Sequence, residues 1–281
     1  MAFREDALVF DCAGEPLVGI LGGAGLAASR GVLIVVGGPN YRAGSGRQFT
    51  LLARRLAASG VPTLRFDYRG MGDSGGDART FEHVDEDIRC AIDRFFASAP
   101  GLKEVVIWAL CDAASAALMY AHADARVSGL VLLNPWVRTT QGLARVHLRH
   151  YYVQRLFQAS LWQKLARGEF DFRGAASALR RIVVEALGGR RAASSQGERS
   201  FLERMEEGLR GFRGKVLLIL SGNDLTAQEF KDFVAGSERW QRLLARDSVT
   251  RRDLPEANHT FARRDWRDQV ERWTSDWVGS P

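Results

Sequence analysis

The chain has 281 residues, 46% of them hydrophobic and 26% charged, and its 39 Lys and Arg against 33 Asp and Glu leave a formal net charge of +6. That length suits one large α/β domain or two small ones with a full core, and the composition excludes disorder over most of the chain. A pI of about 9.6 points to an anionic surface or a nucleic acid as partner, a question that turns on where the basic residues lie.

The longest apolar run, Val105 to Ala121, contains Asp112 and changes character midway, so it reads as a strand followed by a helix and not as a bilayer span. Arg4, Glu5 and Asp6 stand where a signal peptide needs its apolar region, and a soluble cytoplasmic protein is expected. Cys12, Cys90 and Cys111 cannot pair completely, and their spacing fits neither a disulfide framework nor a metal site.

In chain order, Leu8 to Cys12 and Leu17 to Leu21 read as a β-hairpin turning through Gly14-Glu15-Pro16. Val32 to Val36 is a β-branched strand, Gln48 to Ala58 a helix, Val61 to Phe66 a strand, and a polar Gly-rich loop leads to a helix over Val84 to Phe96. Val105 to Ala109, a helix over Ala113 to Ala121, and Val127 to Leu133 continue the alternation. Apolar strands separated by amphipathic helices indicate a mostly parallel sheet covered on both faces. From Trp136 to Arg213 no strand is expected. Leu143, Val146, His150, Val153, Phe157, Leu161 and Leu165 mark an amphipathic helix, Gly188 to Gly197 a loop, and Phe201 to Leu209 a short helix. Alternation resumes with strand Val216 to Leu220, helix Ala227 to Val234, strand Val249 to Leu254 and a helix around Trp266 to Trp277. The expected organisation is a core of residues 1–135 and 214–281, with a helical cap inserted at 136–213.

The segment Val105 to Ser115 carries the strongest chemical signal. A buried strand runs directly into a helix, with Cys111 at the turn and small Ala109 and Ala113 two positions to either side. This is a nucleophile-elbow pattern, in which close backbone packing demands small neighbours and the turn lifts the nucleophile above the sheet. A thiol at a helix N-terminus is favoured as thiolate, and a neighbouring His assists it. Cys111 also admits a plainer reading as a small buried side chain. Two further loops decide between these. Asp224 follows strand Val216 to Leu220, and His259 follows strand Val249 to Leu254, giving the chain order nucleophile, acid, His at the C-terminal ends of parallel strands. His83, His122, His147 and His150 lie in or beside helices, where a packed or solvated role is expected. Glu256 competes with Asp224 for the acid's place but lies close to His259 in sequence. An oxyanion hole is expected from the Asp112 amide and from Gly38 or Asn40, since Pro39 between them has no N–H.

Two patterns mislead. Gly70 to Gly75 spells G-x-G-x-x-G, but polar residues to His83 intervene before any helical period, so no dinucleotide site is expected. Asp112 could suggest an Asp nucleophile, but the spacing of Ala109 and Ala113 puts Cys111 at the apex. No cofactor and no metal are expected.

The run Asp67 to Ser74, the elbow, and the acid and His loops together resemble the α/β-hydrolase superfamily across nearly the whole chain. Gly37 to Arg42, Leu110 to Ala117, Leu133 to Arg138 and Ser221 to Ala227 more specifically resemble the exosortase A system-associated hydrolases of the first type, from bacterial loci for exopolysaccharide synthesis and protein sorting. The resemblance implies an α/β-hydrolase fold, hydrolase chemistry and a triad of Cys111, Asp224 and His259. Esterase or thioesterase action is the expectation, with acyl transfer and a catalytically silent binding role as alternatives.

Between Trp136 and Arg213 stand 15 Lys and Arg against 7 Asp and Glu, a surplus of +8 that leaves −2 elsewhere. The basicity therefore belongs to the insertion. It suggests a small-molecule or carrier-bound acyl substrate that is anionic, or peripheral membrane contact through the cap, and no nucleic acid.

Overall fold

In this computed structural model the described residues are 4–23, 25, 27–38, 40–138 and 199–279. The expected helix Leu143 to Leu165, the loop Gly188 to Gly197 and nearly all of the basic insertion lie outside them. The described residues of Met1–Val137 and Ser200–Pro281 pack as one compact unit.

Eight strands form one sheet, β1 (Glu5–Cys12), β2 (Glu15–Gly22), β3 (Arg30–Val35), β4 (Thr63–Phe66), β5 (Glu104–Leu110), β6 (Val127–Leu133), β7 (Lys215–Ser221) and β8 (Val249–Leu254). Their order is β1-β2-β4-β3-β5-β6-β7-β8. The first two are antiparallel to their neighbours and every other pair is parallel. The hairpin turns earlier than its Gly-Glu-Pro cluster suggests. Ala13 and Gly14 both take positive φ, 55° and 85°, as a two-residue hairpin demands, and Glu15 and Pro16 already belong to β2.

Helices cover both faces. Strands β3 and β5 split their side chains residue by residue. Val32, Ile34, Val106, Trp108 and Leu110 join one core layer with α1 (Gln48–Ala58) and α7 (Arg264–Gly279). Leu33, Val35, Val105, Ile107 and Ala109 join the other, with α2 (Asp85–Ser98) and α3 (Asp112–Tyr120). That second layer also holds α4 (Phe201–Gly211), α5 (Leu225–Ala235) and α6 (Glu238–Leu244). A strand alternates faces with period two, so burial on both sides requires apolar residues throughout. Strand β8 closes the sheet with half-exposed Arg251, Arg252 and Asp253, charges that keep an edge from pairing with another chain.

Helix α4 was expected within the insertion but packs on the core, burying Met205 and Leu209. Ser200 and Glu203 cap it reciprocally, with Ser200 Oγ accepting from Glu203 N–H and Glu203 accepting from Ser200 N–H at 2.9 Å. Helix α6 has no counterpart among the expected elements. Ser237 caps it, and Trp240 anchors it edge-on against Phe230 and Phe233. Among the described residues no helix is long and apolar enough to cross a membrane.

The polar link that ties β4 to α2 is the ion pair of Arg69 and Asp87. Both are buried, and Asp87 accepts from the Arg69 backbone N–H, Nε and Nη2 at 2.8, 3.0 and 2.9 Å. Asp87→Ala leaves the buried Arg69 guanidinium with only half-exposed Glu86, at 2.7 Å, so unfolding stability is expected to fall by about 3 kcal/mol. Urea denaturation checks this, and a loss of less than about 1 kcal/mol contradicts it.

Candidate active site

Parallel register brings the strand ends into line. Val35 pairs with Ala109, Leu110 with Leu133, Leu133 with Ile219, and Ser221 with Leu254. The loops that follow therefore gather Gly38, Cys111, Asn134, Asp224 and His259 along one edge of the sheet.

Cys111 occupies the single residue between β5 and α3, with φ 65° and ψ −128°. A non-glycine residue with positive φ and this ψ is strained, and such strain persists only where the surroundings dictate it. Here they do. Cys111 N–H donates to the Leu133 carbonyl at 2.9 Å, and its own carbonyl accepts from Ala114 at 3.0 Å and Trp136 at 3.3 Å. Ala109 and Ala113 are buried on either side.

His259 Nδ1 lies 2.9 Å from Asp224 Oδ2, and Cys111 stands near enough to act electrostatically on the same imidazole. With Nδ1 engaged by Asp224, Nε2 is the nitrogen left for the thiol. The Asp224 bond first and the neighbouring Cys111 second push the imidazole up to about 10, against the opposing effect of burial. Burial raises the Asp224 carboxyl, but His259 and the Ala227 and Thr226 amides outweigh it and hold it below its ordinary value. Those two amides donate at 3.0 and 3.3 Å because Asp224 is also the N-cap of α5. One carboxylate thus starts a helix and orients an imidazole. Glu256 is exposed and does not take this place.

The acid and His loops meet closely. Gly222 N–H donates to Leu254 O at 2.8 Å and Asn223 N–H to Ala257 O at 3.0 Å. A Cβ on Gly222 would lie 2.0 Å from the Pro255 carbonyl, so only glycine fits. Asn134, fully buried after β6, joins the same loops. Its Nδ2 donates to His259 O at 3.1 Å, and its Oδ1 accepts from Ser221 N–H at 2.9 Å.

Gly38 and Asp112, both expected at an oxyanion hole, lie side by side. Gly38 N–H donates to Asp112 Oδ2 at 3.0 Å. Burial pushes the Asp112 carboxyl up, in spite of amide bonds from Gly38 and Ala113. Asn40 spends its side chain on the Gly37 carbonyl, at 3.3 Å, and braces the loop from within.

The run Gly70 to Gly75 folds around buried Asp67. Asp67 accepts from the backbone of Arg42 at 2.6 Å and of Asp73 at 3.1 Å, and it pairs with the Arg42 guanidinium. Ser74 Oγ donates to Asp67 O at 2.6 Å. Arg42 also pairs with Asp73 at 2.6 Å. The run is a bracket between the loops after β3 and β4, and no helix opens on it.

A model of the alpha/beta hydrolase family matches residues 32–273. The chain belongs to that family. Solved structures of similar fold include an esterase of Pyrococcus furiosus, 15% identical, with 99% of this chain and 92% of that one covered at a TM-score of 0.64. A Butyrivibrio proteoclasticus protein with ferulic acid bound is 14% identical over 98% of this chain and 100% of its own, TM-score 0.63. A Xanthomonas campestris α/β serine hydrolase without a lid is 17% identical over 99% and 97%, TM-score 0.56. No curated protein matches the chain.

In this alpha/beta hydrolase, sequence reasoning missed the clamp of Asn134, the Arg42–Asp67 bracket and the destination of the Asp112 carboxylate. A buried Asn at the end of an apolar strand is the one local signal for the first.

Asn134→Ala leaves Ser221 N–H without its acceptor and is expected to cost about 1–3 kcal/mol in urea denaturation. An unchanged midpoint contradicts the clamp. The raised imidazole sets a second expectation. A group lifted from 6.5 to about 10 on folding stabilises fully below 6.5, and that contribution is lost as pH rises through about 10. The stability gap between the wild type and His259→Gln should therefore narrow between pH 6.5 and pH 10. A gap that stays constant or widens shows that the imidazole is not held in this way.

Proposed function

We propose that this alpha/beta hydrolase cleaves activated acyl groups, esters or thioesters, through an acyl intermediate on Cys111. The observation that carries the reading is Cys111 at a strained strand-to-helix apex, near the imidazole that Asp224 orients. The similarity in fold to the Pyrococcus furiosus esterase supports the ester class.

The steps follow from the geometry. Cys111 Sγ attacks the acyl carbon, and the carbonyl pair moves to oxygen. Collapse of that adduct breaks the bond to the leaving group and leaves a thioester on Cys111. The proton shared by Cys111 and His259 goes to the leaving group. Water then attacks the thioester, gives its proton to His259, and the acid departs as the thiol re-forms. Asp224 keeps Nδ1 engaged throughout, so Nε2 faces the reaction.

A thioester passes its acyl group on readily, so acyl transfer is the second reading. The resemblance to exosortase A system-associated hydrolases makes carbohydrate hydroxyls the first acceptors to try. The +8 surplus in 136–213 supports an anionic donor, carrier or headgroup. Three free cysteines fit the cytoplasm.

With p-nitrophenyl and N-acetylcysteamine acyl donors, Cys111→Ala is expected to lose about ten-thousand-fold in kcat/KM. Intact mass after a rapid quench should show one acyl group on Cys111 in the wild type. Full activity in the variant, or acyl mass on another residue, overturns the reading.

A further inference from the structure

The amides at the expected oxyanion position already hold an anion, and it belongs to the chain. Asp112 Oδ2 accepts from Gly38 N–H at 3.0 Å, and Oδ1 accepts from Ala113 N–H at 2.9 Å. Gly37 packs directly against the carboxylate, and a Cβ there would stand 2.2 Å from Oδ1. Two converging amides and a glycine make a backbone anion nest. One of the two, Gly38, is a donor on which an acyl-transfer oxyanion would depend.

We propose that the Asp112 carboxylate is a resident plug of the oxyanion hole, and that acylation of Cys111 requires it to leave the Gly38 amide. This rests on Cys111 being the nucleophile. When Sγ attacks a carbonyl carbon, the displaced pair makes its oxygen negative, and that oxygen needs N–H donors at hydrogen-bond distance. Each backbone amide offers one hydrogen. An oxyanion at Gly38 would have to share it with a carboxylate, and two anions in contact repel. Resting enzyme is therefore slow in oxyanion chemistry while its thiol stays open to reagents that form no oxyanion. Asp112 is a specificity-determining residue on this account, since substrates whose binding draws the carboxylate away are turned over fastest.

The test compares two reagents on the same thiol. Iodoacetamide alkylates by displacement and forms no oxyanion, whereas p-nitrophenyl acetate passes through one. The ratio of acetylation to alkylation rates at Cys111, read by mass, should rise at least tenfold in both Asp112→Asn and Asp112→Ala. Acetaldehyde, which adds to a thiol as an oxyanion-bearing hemithioacetal, should inhibit both variants at least tenfold more tightly. A ratio that is unchanged or lower, with normal alkylation, overturns the plug and leaves Cys111 as nucleophile. A lower ratio in Asp112→Ala restored in Asp112→Asn would instead make the side chain a hydrogen-bond donor to the oxyanion, and that also overturns it. Loss of alkylation at Cys111 in the wild type removes the nucleophile reading and the plug with it. Should Asp112→Ala not fold, Asp112→Asn alone decides, because it removes the charge and keeps the shape.

Discussion

Cys111 holds a backbone conformation that its own chemistry resists, and the surrounding sheet is arranged so that nothing else fits. Its N–H continues the β5–β6 ladder onto Leu133 O, while its carbonyl is captured by the first turn of α3 and by Trp136. Relaxing φ from 65° would break those bonds together. The neighbours follow from that constraint. Ala109 and Ala113 are buried beside Cys111, and Gly37 is bare because the loop after β3 runs against Leu110 O and the Asp112 carboxylate.

The other half of the site is made by loops that bind one another. Gly222 and Asn223 donate into the His loop, and Asn134 reaches from β6 to His259 O and Ser221 N–H. Asp224 is fixed twice, by the amides of α5 and by the imidazole it orients. The imidazole's position is thus set by the ends of β6 and β7 as well as by its own loop after β8. This is how a site at the rim of an open sheet is made rigid enough for chemistry.

Much of this was legible from residue order because local pattern dictates it. Gln48–Ala58 and Val249–Leu254 read residue for residue, and the two positions that meet at hydrogen-bond distance, Asp224 and His259, announce themselves by following strand ends. What escaped depends on separations that no window spans. Asn134 acts on groups 87 and 125 positions away. The aim of the Asp112 side chain is a rotamer, which a sequence does not encode by spacing. Helix α6 escaped because seven residues with Trp240 and Leu243 buried give too little period to read. The hairpin turn was misplaced because Ala13 adopts φ 55° without being a residue that signals it.

The Arg42 bracket has a consequence for time. Arg42 is bound through both backbone and side chain to Asp67, and again to Asp73, so the segment that carries Gly38 is tied to the turn after β4 by several charged contacts. Loop displacement runs over nanoseconds to microseconds or longer, and here it would first have to break that bracket. A side chain needs only to change rotamer, within picoseconds to nanoseconds when unhindered. The fastest rearrangement open to this site is therefore the turning of one carboxylate against a backbone that stays still.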